Sequence, residues 1–176
     1  MAGLVIGIKG FTHRAGAQER PVINIVTETL MAVGDDEPAE YVGSKKCKKC
    51  HIKEYKSWSK TKMGKAFDTL KPGAAAEIKT KSNLDPQKDY TTDAKCLECH
   101  TVGFGKPGGY TVPDPSNKRA VRKAKALRNV GCEMCHGPGS KYIKFHEEIL
   151  KSGRKYTSEE MLAAGLKLPD EASCMK

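Results

Sequence analysis

The chain has 176 residues, enough for one domain or two small ones, and its 38% hydrophobic and 6% aromatic content is thin for a core built from protein alone. Lys and Arg number 31 against 21 Asp and Glu, giving a formal charge of +10 and a pI near 9.2, a balance that invites nucleic acid or an anionic membrane surface. No aromatic-interleaved basic patch accompanies the charge, which argues against nucleic acid, and no run reaches the roughly 18 apolar residues of a membrane span.

Residues 1–40 hold no cysteine, end in Asp35-Asp36-Glu37-Pro38, and read as a leader or linker ahead of a cofactor domain over 41–176. The run Ala2-Gly3-Leu4-Val5-Ile6-Gly7-Ile8 and the later Ala15-Gly16-Ala17 have parts of an export signal. No basic segment precedes that run, and Lys9, His13 and Arg14 interrupt it, so an ordinary N-terminus reads at least as well.

The first motif is Cys47-Lys48-Lys49-Cys50-His51. Its thiols stand three apart on one turn, so both can form thioethers with the vinyl groups of one porphyrin while the adjoining imidazole reaches the iron. Beyond it, Ile52, Tyr55, Trp58, Met63, Phe67 and Leu70 keep a helical period that Pro72-Gly73 closes, which predicts a helix between His51 and Lys71. Met63 on that helix can offer a thioether to another haem iron, or it can pack in the core as helix methionines commonly do.

The same pattern returns in Cys96-Leu97-Glu98-Cys99-His100 and in Cys132-Glu133-Met134-Cys135-His136. Zinc or thiol redox chemistry would use the cysteine pairs but leave the three histidines without a reason. A histidine would follow any one pair by chance only about 3% of the time, so three haem c groups are expected. Between these motifs lie a glycine-rich loop over Val102 to Tyr110 and a basic stretch from Lys118 to Arg128. That stretch, with Lys45, Lys46, Lys48 and Lys49, suits haem propionates and the steering of redox partners with acidic docking surfaces.

After the Gly137-Pro138-Gly139 turn a helix is predicted that includes His146 to Lys151, and Thr157-x-x-Glu160 matches a capping box that opens another. With His51, His100 and His136 assigned under their irons, His13 and His146 remain. His146 is the expected distal ligand, an exposed helix histidine being the alternative. The sequence ends at Cys174-Met175-Lys176, which reads as a fourth motif cut short, a natural lone thiol being the alternative, so Cys174 is expected to belong to a haem site this sequence does not complete. No alternating strand pattern occurs, and the expected fold class is mainly α with extensive irregular loops.

Several segments together resemble the tetrahaem cytochrome c family of spectral label 554, whose type member accepts electrons from hydroxylamine oxidoreductase in ammonia-oxidising bacteria. They are Lys45-Lys46-Cys47 through His51, Ser57-Trp58, Leu70-Lys71-Pro72, Leu84-Asp85-Pro86 with Lys88-Asp89-Tyr90-Thr91, Gly103-Phe104-Gly105 with Gly108-Gly109-Tyr110-Thr111, and Val130-Gly131-Cys132-Glu133 through Gly139. The resemblance implies a helical fold wrapped around haems stacked in pairs, with the second haem five-coordinate. It places His146 on the distal ligand of the first haem. It places Met63 where the ammonia-oxidiser protein has a distal histidine, for the third haem, and a methionine there implies a higher potential or an open iron.

The function expected from these features is electron transfer by a periplasmic or otherwise extracytoplasmic carrier. A small nitrogen-oxide reductase at the open haem of Cys96, Cys99 and His100 is the alternative, although the sequence offers no obvious proton donor there. A subunit of a cytochrome filament is a third reading with little to support it.

Overall fold

The computed structural model describes residues 37–170, which lie in a unit beginning at Glu37. Eight short α-helices follow in order: α1 Ser44–Cys47, α2 Ile52–Trp58, α3 Ala76–Lys81, α4 Ala94–His100, α5 Lys118–Ala126, α6 Cys132–His136, α7 Ser140–Ser152 and α8 Ser158–Ala163. A 3₁₀ segment, Met63–Leu70, lies between α2 and α3. Among the described residues the extended backbone makes a single antiparallel bridge, Thr101 to Arg128, so the helical, loop-rich architecture expected from the sequence is what the chain adopts.

Side chains start these helices where the sequence supplies them. Asp93 accepts from the Lys95 N–H, and Asn117 accepts from those of Arg119 and Ala120. The capping box at Thr157 forms in full, with Glu160 returning to the Thr157 N–H. Helix α7 runs over the predicted His146 stretch and ends at Gly153, whose φ of 68° is the left-handed closure glycine favours.

The helix predicted from His51 to Lys71 breaks after Trp58. Thr61 folds back, its hydroxyl donating to the Trp58 carbonyl and accepting from the Gly64 N–H. Distant chain then takes the polar groups of this segment. The Trp58 indole donates to the Val130 carbonyl at 2.8 Å, the Phe67 N–H donates to the Asn129 side chain, and Val130 N–H reaches the Met63 carbonyl. The backbone is satisfied by tertiary partners and does not need a continuous helical ladder.

One hydrophobic core joins Phe67, Leu70, Tyr90, Leu97, Val102, Tyr110, Ala124 and Leu127, with Tyr41, Cys96 and Phe104 packed against it. Leu97 lies inside the second motif and has no exposed surface, so this core anchors that attachment helix. The loop after it is drawn tight at Gly109, where any Cβ would strike the Gly103 carbonyl. Helix α4 packs on the 3₁₀ segment, whereas α1 packs on α6, bringing the first and third motifs together.

Candidate haem sites

Each motif sits on or directly after a short helix, so its two cysteines share one side of a turn and the histidine follows. None of the six described cysteines forms a disulfide. Cys174 and His13 lie outside the described residues.

Two of the motif histidines have one ring nitrogen held by a backbone carbonyl. His100 Nδ1 lies 2.6 Å from the Ala66 carbonyl, and His136 Nδ1 lies 3.0 Å from the Lys167 carbonyl. A carbonyl only accepts, so Nδ1 carries the proton in both rings and Nε2 presents its lone pair. The Lys167 N–H also donates to the His136 carbonyl, so the chain after α8 holds this residue at both ends.

The first cavity, of about 230 Å³, is lined by Cys47, Cys50, His51 and His146, with Tyr142 and Met161 among the walls. His51 and His146 thus face one space. The ring of His146 meets Tyr156 edge to face at 5.1 Å, and Lys49 pairs with Glu147 at 3.2 Å, holding α7 beside the first motif. That ion pair is exposed and contributes little energy, so it serves register more than stability.

The second cavity is larger than the first, about 730 Å³, and is bordered by Cys96, His100, Met63, Ala66, Leu70 and Lys79 among others. A third, of about 250 Å³, is lined by Cys132, His136, Glu54 and Tyr55, and shares Cys47, His51 and Tyr142 with the first. Cys47 and Cys132 both line this third cavity and perturb each other's thiols. Their mutual interaction, with burial next in weight, drives the Cys47 thiol up, and the same interaction holds Cys132 down to about 6. Burial, followed by Cys47 and Glu133, also raises the Tyr142 phenol above its ordinary range. The donor sets, the oriented imidazoles and the apolar walls fit covalently attached haem at all three motifs.

Met63 is half-exposed and borders the His100 cavity. It also lines an open groove with Lys53, Glu54, Ser57, Trp58 and Thr61, and Glu54 continues from that groove into the His136 cavity. The structure therefore sets Met63 beside the second site and one residue away from the lining of the third.

Two residues without an assigned role in the sequence reading stand out. Glu133, inside the third motif and 1% exposed, accepts from the backbone N–H groups of Val42, Gly43 and Gly139 at 2.9, 2.6 and 2.7 Å. Lys79, 5% exposed, donates to the Lys71 carbonyl at 2.6 Å and lies 5.3 Å from the Tyr90 ring centroid. The sequence signal for Glu133 was a carboxylate placed between two attachment cysteines; for Lys79 there was none.

A family model described as cytochrome c554 and c-prime matches residues 46–137. The chain is 39% identical over 140 residues to cytochrome c-554 of Nitrosomonas europaea, an alignment covering 77% of this chain and 56% of that protein. It also superposes on the reduced state of cytochrome c554 from the same organism with a TM-score of 0.65, covering 78% of this chain and 64% of that one. The chain thus spans little more than half the length of the curated relative it matches. Three histidine-terminated cysteine pairs on short helices, two of them side by side, fit that relationship, and the chain belongs to the cytochrome c554 and c-prime family, whose members carry haem c.

Proposed function

We propose that the protein carries electrons between redox partners outside the cytoplasm, using three haems c attached at Cys47 and Cys50, Cys96 and Cys99, and Cys132 and Cys135. The observation that supports this best is the meeting of the first and third sites, whose cavities share Cys47, His51 and Tyr142. When bound, haem c supplies reversible one-electron chemistry at its iron, with no bond broken in a substrate. The polypeptide's part is to fix separation, ligation and burial.

In this reading His51, His100 and His136 bind the irons from one side, and His146 is the distal ligand of the first site. Met63 offers its thioether at the groove next to the third site, and the second site is open. The relatives give no support to the nitrogen-oxide reductase alternative for the second site.

Exposed Lys45, Lys46, Lys48 and Lys49 surround the first attachment turn, and Lys118, Arg119, Arg122, Lys123 and Lys125 stud α5. Such a rim suits acidic surfaces on the donor and the acceptor. No helix among the described residues is long and apolar enough to cross a membrane.

Intact mass and haem staining of protein matured in an export-competent host test the reading. A mass increment of three haems, reversible reduction and mixed low-spin and high-spin ferric spectra are expected. Absence of covalent haem would overturn it.

A further inference from the structure

Among the described residues, the buried charged side chains are Glu133 and Lys79, and they carry opposite signs. Neither enters an ion pair there; their partners are backbone N–H groups for Glu133, and a carbonyl and a ring face for Lys79. A net charge held in a low-dielectric interior acts strongly on a redox centre nearby. A negative charge favours the oxidised, more positive state, and a positive charge favours the reduced one.

The two charges belong to different sites. The Glu133 carboxylate ties Val42 and Gly43, just before the first motif, to Gly139, just after the third, so it lies where those two motifs meet. Lys79 lines the separate cavity that holds Cys96 and His100. We propose that Glu133 lowers the reduction potentials of the first and third haems while Lys79 raises that of the second, so that the second site is where an electron entering the pair comes to rest. Each transfer oxidises one haem by one electron and reduces the next, with no proton or leaving group involved. The inference rests on the electron-carrier reading and gives it a direction.

A merely structural role would place Lys79 as a strut between the Lys71 carbonyl and Tyr90, and its removal would change stability without singling out one haem. The test therefore reads potentials. Lys79→Met, Lys79→Arg and Glu133→Gln are prepared as mature haem proteins, with the haem count taken from intact mass and potentials from spectroelectrochemical titration. The second haem is identified by the signal lost in a Cys96→Ala, Cys99→Ala variant. At an ambient potential that half-reduces the second haem in the parent, Lys79→Met lowers its reduced fraction several-fold and leaves the other two in place, and Lys79→Arg restores it. Glu133→Gln raises the reduced fraction of the first and third haems.

A Lys79→Met protein with its full haem complement and an unchanged second potential would overturn the proposal, as would an equal shift at all three haems. Should Glu133→Gln fail to mature, the Met and Arg variants of Lys79 decide alone. A parent protein without covalent haem would sink the carrier reading itself, whereas haem present with unmoved potentials sinks only this inference.

Discussion

The backbone N–H of Gly43 donates to the buried Glu133 carboxylate at 2.6 Å, joining positions 90 residues apart in sequence. Val42 and Gly139 complete the clamp, so the approach to the first motif and the exit from the third meet on one side chain. Gly43 can serve because its φ is +85° and because a Cβ there would come within 2.5 Å of the Ala126 carbonyl oxygen. Gly43→Ala should therefore destabilise the haem-loaded protein by about 1–3 kcal/mol, through left-handed strain and that clash. The denaturant midpoint measures it, and a midpoint equal to the parent's would show that the clamp tolerates a side chain.

His146 shares a cavity with His51 and is braced by Tyr156. Replacing it by alanine should leave haem attachment intact, because both cysteines and the proximal histidine stay. One low-spin ferric haem should then be replaced by a high-spin one, visible by electron paramagnetic resonance. Tyr156→Phe retains the edge-to-face ring and should keep the low-spin signal. Unchanged spectra for His146→Ala would make this residue a packing histidine of α7 and not a ligand.

The attachment sites were legible in the sequence because their chemistry is local. Two cysteines three apart and the adjoining histidine need nothing beyond one turn of chain, and the Thr157 capping box is likewise complete within four residues. The broken helix after Trp58 was not legible. Its cause lies in Val130 and Asn129, 72 and 62 residues away from the groups they satisfy. The contact of Cys47 with Cys132 was unreadable for the same reason, since spacing along the chain says nothing of which motifs pack together. Lys79 carries no signal in the sequence either, because the Lys71 carbonyl and the Tyr90 ring that its ammonium meets come together only through tertiary packing.

Leu97 tests whether the protein core and the second haem site stand or fall together. The side chain sits between the two cysteines of its motif and is fully buried in the main hydrophobic cluster. Leu97→Ala should cost about 2–5 kcal/mol in unfolding free energy, as truncations in packed cores do. Cys96, Cys99 and His100 are untouched by the change, so the mass should still show every haem. Loss of the second haem alone would mean that packing of α4 is needed for attachment itself.

Met63 borders the His100 cavity and the groove that Glu54 links to the His136 cavity, so its sulfur can be tested at the iron directly. If its sulfur ligates iron, Met63→Ala should convert one low-spin haem to high spin. Met63→His should keep that haem low-spin and lower its potential, because histidine stabilises ferric iron more than a thioether does. A packing methionine would give neither change, and with half its surface exposed its truncation would then cost less than about 1 kcal/mol.

The lysines around the first attachment turn make a kinetic prediction distinct from all of these. Lys45, Lys46, Lys48 and Lys49 are exposed, and of these Lys49 is partly engaged by Glu147. Reversing Lys45 and Lys48 to glutamate inverts two of these four charges, Lys48 giving up its place over the Tyr55 ring, without touching the clamp, the cysteines or the histidine. Association with an acidic redox protein should slow about tenfold at low ionic strength, and the dependence of the rate on salt should flatten. Potentials and spectra should stay as in the parent, because exposed charges are screened by solvent. Stopped-flow reduction at several salt concentrations measures both effects. A rate independent of these lysines would move the docking face to α5, where the equivalent reversal of Arg122 and Lys123 should then show the loss instead.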